Sequence, residues 1–323
     1  MPELRLDQLA ARLRVAGVVD VSPLSGGASG LTYSGVMDGR PVVVKVAPPG
    51  LPPILNRDVL RQARMIGALR ASPVPVPDVL WEDAGQPPNV PPLFVMSSVE
   101  GTSVEPLYDL TSEDTELAVM AQRQRNAART LADLHRVDPA SLGFGAVPVM
   151  APGAEVDRWC RTLQTVDPAM VAGWREIGDA LRTSAPAPLA PAVVVHGDFR
   201  LGNLLAVGTR ITAIVDWEIW SIGDPRVDVG WFLLNGDPDT YGRPTRYADS
   251  MPPTVELAAA YADWFARDVP DLQWFEALAA FKSVATWSLI VKHNRRRSSP
   301  DAGIEAMASA FPRLLLRSRK LLG

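Results

Sequence analysis

Two stretches near the middle of the chain decide the fold: Val193-Val194-Val195-His196-Gly197-Asp198-Phe199-Arg200-Leu201-Gly202-Asn203 and Ile211-Thr212-Ala213-Ile214-Val215-Asp216-Trp217-Glu218. In each, an apolar β-like run ends in a turn that carries an acid. Short hairpin geometry between the runs can bring Asp198, Asn203 and Asp216 to one side. Asn203 and Asp216 offer oxygen donors only, with no cysteine or histidine cluster nearby, which suits a hard cation such as magnesium. Asp198 is then left to orient a hydroxyl and accept its proton. A lone Asp behind a strand is ordinarily a turn or cap residue. The joint pattern of His-Gly-Asp, an Asn five residues on, and Asp-Trp-Glu weakens that reading.

Working outward, the first hundred residues read as strands and turns. Ser25 to Gly30 is a small-residue turn, and Leu31 to Met37 a strand. Asp38-Gly39 is a hairpin signal, and Pro41 to Val46 a second strand. Asp58 to Leu69 has helical spacing, and Leu93 to Met96 reads as a buried strand. Lys45 lies among valines, so it either meets an anion or snorkels from an edge strand. The Ser25–Gly30 turn is either a plain turn or a set of unobstructed N–H groups lying over phosphates.

Past Gly101 the texture becomes helical, over 117–135, 154–183, 254–268, 272–292 and 302–321. Pro312 splits the last of these or starts a new helix. The lobe boundary falls near residues 97–101.

Composition bounds the rest. The chain has 323 residues, 47% hydrophobic and 21% charged, which is ordinary for a globular protein and excludes wholesale disorder. Net charge is −4, against a strongly basic nucleic-acid surface. Cys160 is the single cysteine, so neither an intrachain disulfide nor a cysteine–zinc site can form. Charges from Glu3 to Arg14 interrupt any signal-peptide core, and Leu6, Leu9 and Leu13 suit an amphipathic helix. No apolar run approaches membrane-span length. The expectation is a soluble, cytoplasmic protein with neither nucleic-acid nor membrane partners.

With these stretches in view, the sequence resembles the aminoglycoside phosphotransferase family, small-molecule kinases with a protein-kinase-like fold. The matching segments are LSGGASGLTY, VVVKVA, LFVMSSVEG, VVHGDFRLGNLL and ITAIVDWEIWSIGDPRVDVGWFL, in order from about residue 20 to 292. They are most similar to a subgroup that includes the kinase-like domain fused to some animal acyl-CoA dehydrogenases. The resemblance implies an α+β, bilobal fold. A small antiparallel-sheet lobe with one long helix would span 1–100, and a larger, mainly helical catalytic and substrate-binding lobe 101–323.

It implies phosphoryl transfer from ATP, or GTP, with Mg2+, to a hydroxyl of a small molecule. Asp198 would engage that hydroxyl, and Asn203 and Asp216 would hold the metal. Lys45 would contact the α- and β-phosphates, and Gly27, Ala28 and Ser29 would cover them. Met96 to Val99 would form the hinge, with backbone groups of Ser97 and Val99 on the adenine edge. Arg200 would approach the transferring phosphate or else brace its loop. His196 would hold the loop, and Asp228 would cap its N–H groups from below. His135 would end a helix where its charge suits the C-terminus.

One departure stands out. Where the family commonly has a glutamate to pair with the lysine, this chain has Gln62, with Asp58 one turn earlier as a substitute partner. A nucleotide-binding sensor with little transfer activity is the competing reading. The acceptor is open between an antibiotic and a hydroxyacyl-CoA-like molecule. Carboxylates along 154–183 and 235–271, mixed with Trp159, Trp174, Trp264 and Trp274, are its candidate cleft elements. The basic run Arg295-Arg296-Arg297 is a solvated face or meets an anionic substrate.

Overall fold

A computed structural model describes residues 4–24, 31–107 and 116–323. Gly27, Ala28 and Ser29 lie outside the described residues. The chain divides into two compact units, and the division is not one cut. Residues 203–207 and 211–220 cluster with the first unit, 1–102, while 103–202, 208–210 and 221–323 form the second. The run from Ile211 to Glu218, with the two residues after it, therefore belongs with the first unit. A single linear boundary near 97–101 does not anticipate this, because long-range pairing carries those residues back.

In the first unit, α1 (Leu6–Leu13) buries Leu9 and Leu13. Next come β1 (Val18–Pro23), β2 (Leu31–Met37) and β3 (Arg40–Val46), then α2 (Val59–Leu69), β4 (Val79–Asp83) and β5 (Leu93–Ser97). The strands form one antiparallel sheet in the order β1-β2-β3-β5-β4. Asp38 and Gly39 both take positive φ, 50° and 72°, as a two-residue hairpin turn of the primed kind requires. Strand alternation then sets the faces. Val42, Val44 and Val46 enter the core with Leu9, Leu13, Val18 and Val95, which leaves Lys45 on the opposite face. Each such fully buried aliphatic side chain contributes about 1.5–3 kcal/mol. The Asp58 carboxylate caps α2 by accepting from the Arg61 N–H at 3.0 Å, worth about 1 kcal/mol.

In the second unit, α3 (Leu117–His135) matches the expected helix residue for residue. The single helix expected over 154–183 is instead two, α4 (Pro152–Leu163) and α5 (Trp174–Thr183). A turn at Pro168–Val171 and Gly173, at φ 84°, break it. Every residue of α6 (Arg226–Gly236) is buried. Helical periodicity overlooks it, since a helix buried on all sides, with its Arg226, Asp228 and Asn235 included, has no solvent-facing polar stripe to reveal it.

The helix α7 (Thr254–Phe265) stops short of 268 at Ala266, which is left-handed. The long α8 (Leu272–Asn294) follows, then α9 (Ala302–Ala306) and α10 (Phe311–Leu322), with Pro312 in the first turn of α10. A Cβ at Gly230 of α6 would lie 2.5 Å from the carbonyl oxygen of Phe275 on α8, so this crossing is as close as glycine permits. Contrary to the expectation from sequence, α8 is long and apolar enough to cross a membrane, although 72% of that window is buried within the protein. Three short strands, Val149–Met150, Ser221–Gly223 and Val193–Val195, form a small sheet of this unit.

Candidate active site

In the first unit, strand β3 delivers Lys45 to Asp216 across 171 residues of sequence, with Nζ 2.5 Å from Oδ1. Both side chains are only partly covered, at 15% and 28% exposure, so the pair stays open to exchange of partners. Asp216 sits at φ 66°, a backbone state unusual for a residue with a Cβ and one that collects at functional turns. The N–H of Val215 donates to the carbonyl of Asn203 at 2.9 Å, which joins the two turns bearing the expected metal ligands.

The partner of Lys45 is thus neither Gln62 nor Asp58. Asp58 is taken up as the cap of α2, 3.7 Å from Arg64. Gln62 is buried at 3% exposure, and among the described residues its Oε1 has no hydrogen-bond partner. Gln62 shares a small cavity with Lys45 and Glu218. An orphaned buried acceptor costs about 1–3 kcal/mol unless something fills it.

The oxygen-only donors Asn203 and Asp216 fit a hard divalent cation that completes its shell with phosphate oxygens. Among the described residues no three His, Cys, Asp or Glu gather into a preformed metal nest.

At the end of β5, Met96 is buried in the ladder opposite Val43. The Ser97 amide donates to the Asp78 carbonyl at 2.9 Å, and the Ser97 hydroxyl accepts from the Asp78 N–H at 2.9 Å. The Ser97 N–H is therefore occupied within the sheet. Of the two residues expected to face adenine, Val99 is the one beyond the strand. The α2 helix is also tied to the segment after Asp216. Arg61 lies over the Trp220 ring at 3.7 Å and donates to its carbonyl at 2.5 Å, while the Trp220 indole donates to the Arg61 carbonyl at 3.2 Å.

In the second unit, the loop 196–202 is held from several sides. Gly197, at φ 85°, makes the turn. The fully buried Asp228 carboxylate accepts from the backbone N–H of His196 at 2.6 Å and of Gly197 at 2.8 Å, as expected for a cap from below. Burial pushes the Asp228 carboxyl up, but His135, His196 and Lys282 together outweigh it and hold it below its ordinary value. His135 does more than end α3: its ring bridges the Tyr261 hydroxyl at 2.8 Å and Asp228 at 3.3 Å. His196 Nδ1 accepts from the Asp198 N–H at 3.1 Å, which agrees with a holding role.

The Asp198 carboxylate accepts from the Trp231 indole at 2.8 Å and from Arg200 Nε at 3.2 Å. Arg200 also donates to Glu105 at 2.7 Å, so here it braces its loop. Burial raises the Glu105 carboxyl, against the pull of Arg200.

Some expected acceptor elements turn out to be core. Trp159, Trp174 and Trp274 are buried, and Trp264 alone of the four is exposed. The 295–297 run is a solvated face in which Arg295 pairs with Glu305 at 2.5 Å. Sequence reasoning missed Trp231, Glu105, Lys282 and the Arg61–Trp220 clamp. For Lys282 a signal existed, the same one used for Lys45: a lysine amid apolar neighbours.

Comparison with known proteins shows the family and the fold. Residues 20–288 match the phosphotransferase enzyme family. Acyl-CoA dehydrogenase family member 11 of Gallus gallus is 25% identical over 288 residues, 83% of this chain but 36% of that protein. The chain thus spans about a third of the length of that relative. A candidate aminoglycoside phosphotransferase of Ralstonia eutropha JMP134 superposes with a TM-score of 0.75 at 20% identity, covering 99% of this chain and 98% of that one. A thermostable mutant of the aminoglycoside phosphotransferase APH(4)-Ia, solved with AMP-PNP and hygromycin B, superposes at 0.63 with 17% identity over 98% and 97% of the two chains. These likenesses show the α+β, protein-kinase-like fold expected from the sequence.

Proposed function

The chain belongs to the phosphotransferase enzyme family, and from that premise we propose that it transfers the terminal phosphoryl group of ATP to a hydroxyl of a small molecule with the help of Mg2+. The observation that carries this reading is the Lys45–Asp216 pair, which the fold assembles at 2.5 Å from opposite ends of the family motif set. Lys45 would exchange Asp216 for the α- and β-phosphates. Asn203 and Asp216 would hold magnesium, which supplies charge neutralisation at the phosphates. Asp198 would orient the acceptor hydroxyl and take its proton as the oxygen–phosphorus bond forms and the bond to the ADP leaving group breaks. Little covalent chemistry is asked of the protein; positioning and electrostatics carry the reaction.

The kinship with acyl-CoA dehydrogenase family member 11 favours a hydroxyacyl-CoA acceptor over an aminoglycoside. The buried tryptophans and the paired basic run lend neither acceptor support. Gln62 supports the second reading, a nucleotide-binding protein with little turnover, because a neutral amide with an unsatisfied oxygen stands where a carboxylate would steady Lys45. Nucleotide turnover against hydroxyacyl-CoAs, aminoglycosides, macrolides and sugars separates these readings. Asp198→Ala is expected to lower turnover by about 10²–10⁴-fold with nucleotide affinity kept. Wild-type turnover in that variant refutes the role of Asp198, and tight binding without turnover on any acceptor favours the sensor.

A further inference from the structure

The second unit buries a cation that the phosphoryl-transfer chemistry does not call for. Lys282 stands in the middle of the apolar α8 at 2% exposure. Among the described residues it has no ion-pair partner within 4.0 Å. Its ammonium donates to the carbonyl of Gly197, the residue before Asp198. The same Nζ lies 3.9 Å from the centroid of the Trp231 ring and 5.5 Å from that of Trp159. Trp231 in turn gives its indole N–H to Asp198 at 2.8 Å. One cation therefore touches the loop backbone on one side of Asp198 and the π face of the group that donates to its carboxylate.

Burying an ammonium with no carboxylate in ion-pair contact is expensive, and an apolar residue of similar volume ordinarily serves a core better. A cation on an aromatic face recovers about 2 kcal/mol when desolvated, and a charge-assisted bond to a carbonyl adds to it. Neither reason favours lysine over methionine for packing alone.

We propose that Lys282 is a positioning residue for Asp198, fixing the Gly197 carbonyl and the Trp231 indole that together aim the carboxylate. The proposal rests on the phosphotransferase reading for its catalytic consequence, but not for its structural content. Among the described residues, charge acts on the ammonium from Asp198 on the loop, Asp228 on α6, and Glu155 and Arg158 on α4. Burial lowers the ammonium to about 8; the three carboxylates oppose the shift and Arg158 adds to it. Its charge is thus present at neutral pH and lost under mildly alkaline conditions.

Two opposite trends follow. The unfolded chain binds the extra proton between about 8 and the ordinary 10.5, so this group makes stability rise with pH in that window. Activity falls over the same window as the hold on Trp231 weakens.

The test uses the full chain with Lys282→Met, Lys282→Arg and Trp231→Phe, the last serving to assign the Trp231 indole resonance by NMR. In the wild type that resonance is expected to titrate with a midpoint near pH 8, and in Lys282→Met it is displaced and pH-independent. Lys282→Met is expected to unfold at or above the wild-type temperature while kcat drops about 10–100-fold and nucleotide KM stays within about 2-fold. Lys282→Arg, charged throughout, is expected to remove the alkaline fall in kcat. A purely structural lysine predicts the reverse, lower stability with an unchanged pH profile. Should Lys282→Met fail to fold, the wild-type titration decides: a flat Trp231 signal from pH 6.5 to 9.5 overturns the proposal. If no acceptor turns over in the wild type, the phosphotransferase reading fails, and the indole titration still judges Lys282.

Discussion

Lys45 and Lys282 both stand among apolar neighbours, yet the two regions treat their charges in opposite ways. Lys45 has a carboxylate at 2.5 Å and keeps some contact with solvent. Lys282 has a carbonyl and an indole face and almost no contact with solvent. A partly exposed ion pair is worth little and is readily exchanged for another anion. A buried cation held by a backbone carbonyl has no such alternative, so it serves as fixed scaffold. The contrast extends to their surroundings. Among the described residues the Gln62 oxygen near Lys45 has no hydrogen-bond partner, nor has one oxygen of Glu105 beside Arg200, whereas the backbone of the loop 196–198 is satisfied by Asp228 and His196.

The difference can be broken at four points on one scale, stability. Asp228→Ala should have the largest effect, about 3–5 kcal/mol in denaturant unfolding, because it strands the His196 and Gly197 N–H groups and the His135 ring. Its pH signature has a definite sign. A carboxyl held below its ordinary 3.8 contributes stability that is present above that value and lost as pH falls through the depressed one. Wild type should thus weaken below about pH 4 more steeply than the variant.

Gly230→Ala comes next, at about 1–3 kcal/mol, since its methyl group meets the Phe275 carbonyl at 2.5 Å and α6 and α8 must separate. A thermal midpoint equal to wild type would show that the crossing yields easily. Lys45→Met should cost no more than about 1 kcal/mol, the range of a partly solvated pair, while nucleotide binding measured by calorimetry collapses. A large loss of stability there would erase the contrast with Lys282. Gln62→Leu should cost nothing and raise stability by up to about 1–3 kcal/mol, because it removes a buried acceptor that has no partner among the described residues. If it weakens nucleotide binding several-fold, the Gln62 oxygen faces the ligand; if binding is unchanged, the cavity beside Lys45 is structural.

Much of the site is legible in the linear order because it is local. His196, Asp198 and Asn203 lie within one turn behind one strand, and the Asp38-Gly39 hairpin sets β2 against β3 so that Lys45 leaves the core face. The helices α3 and α8 are legible from their length and composition. The misses share a different cause. The α6 helix is hidden because it is buried on every side and shows no polar stripe, and α4 and α5 read as one helix because Pro168 and Gly173 act only as punctuation within a helical pattern. Glu105 meets Arg200, and Arg61 meets Trp220, across sequence separations for which no periodicity exists.

Residue type and spacing by themselves determined which groups this protein can use: a lysine on a sheet, two acids and an amide behind strands, and a helix without the usual acid. Those follow from backbone geometry and side-chain chemistry, which act over a few residues. Which partner each charge takes was decided only when the chain closed. Lys45 goes to Asp216 rather than to Gln62 or Asp58, and Arg200 goes to Glu105 and Asp198. Electrostatic pairing depends on distance and burial in space, and neither is written in the order of residues.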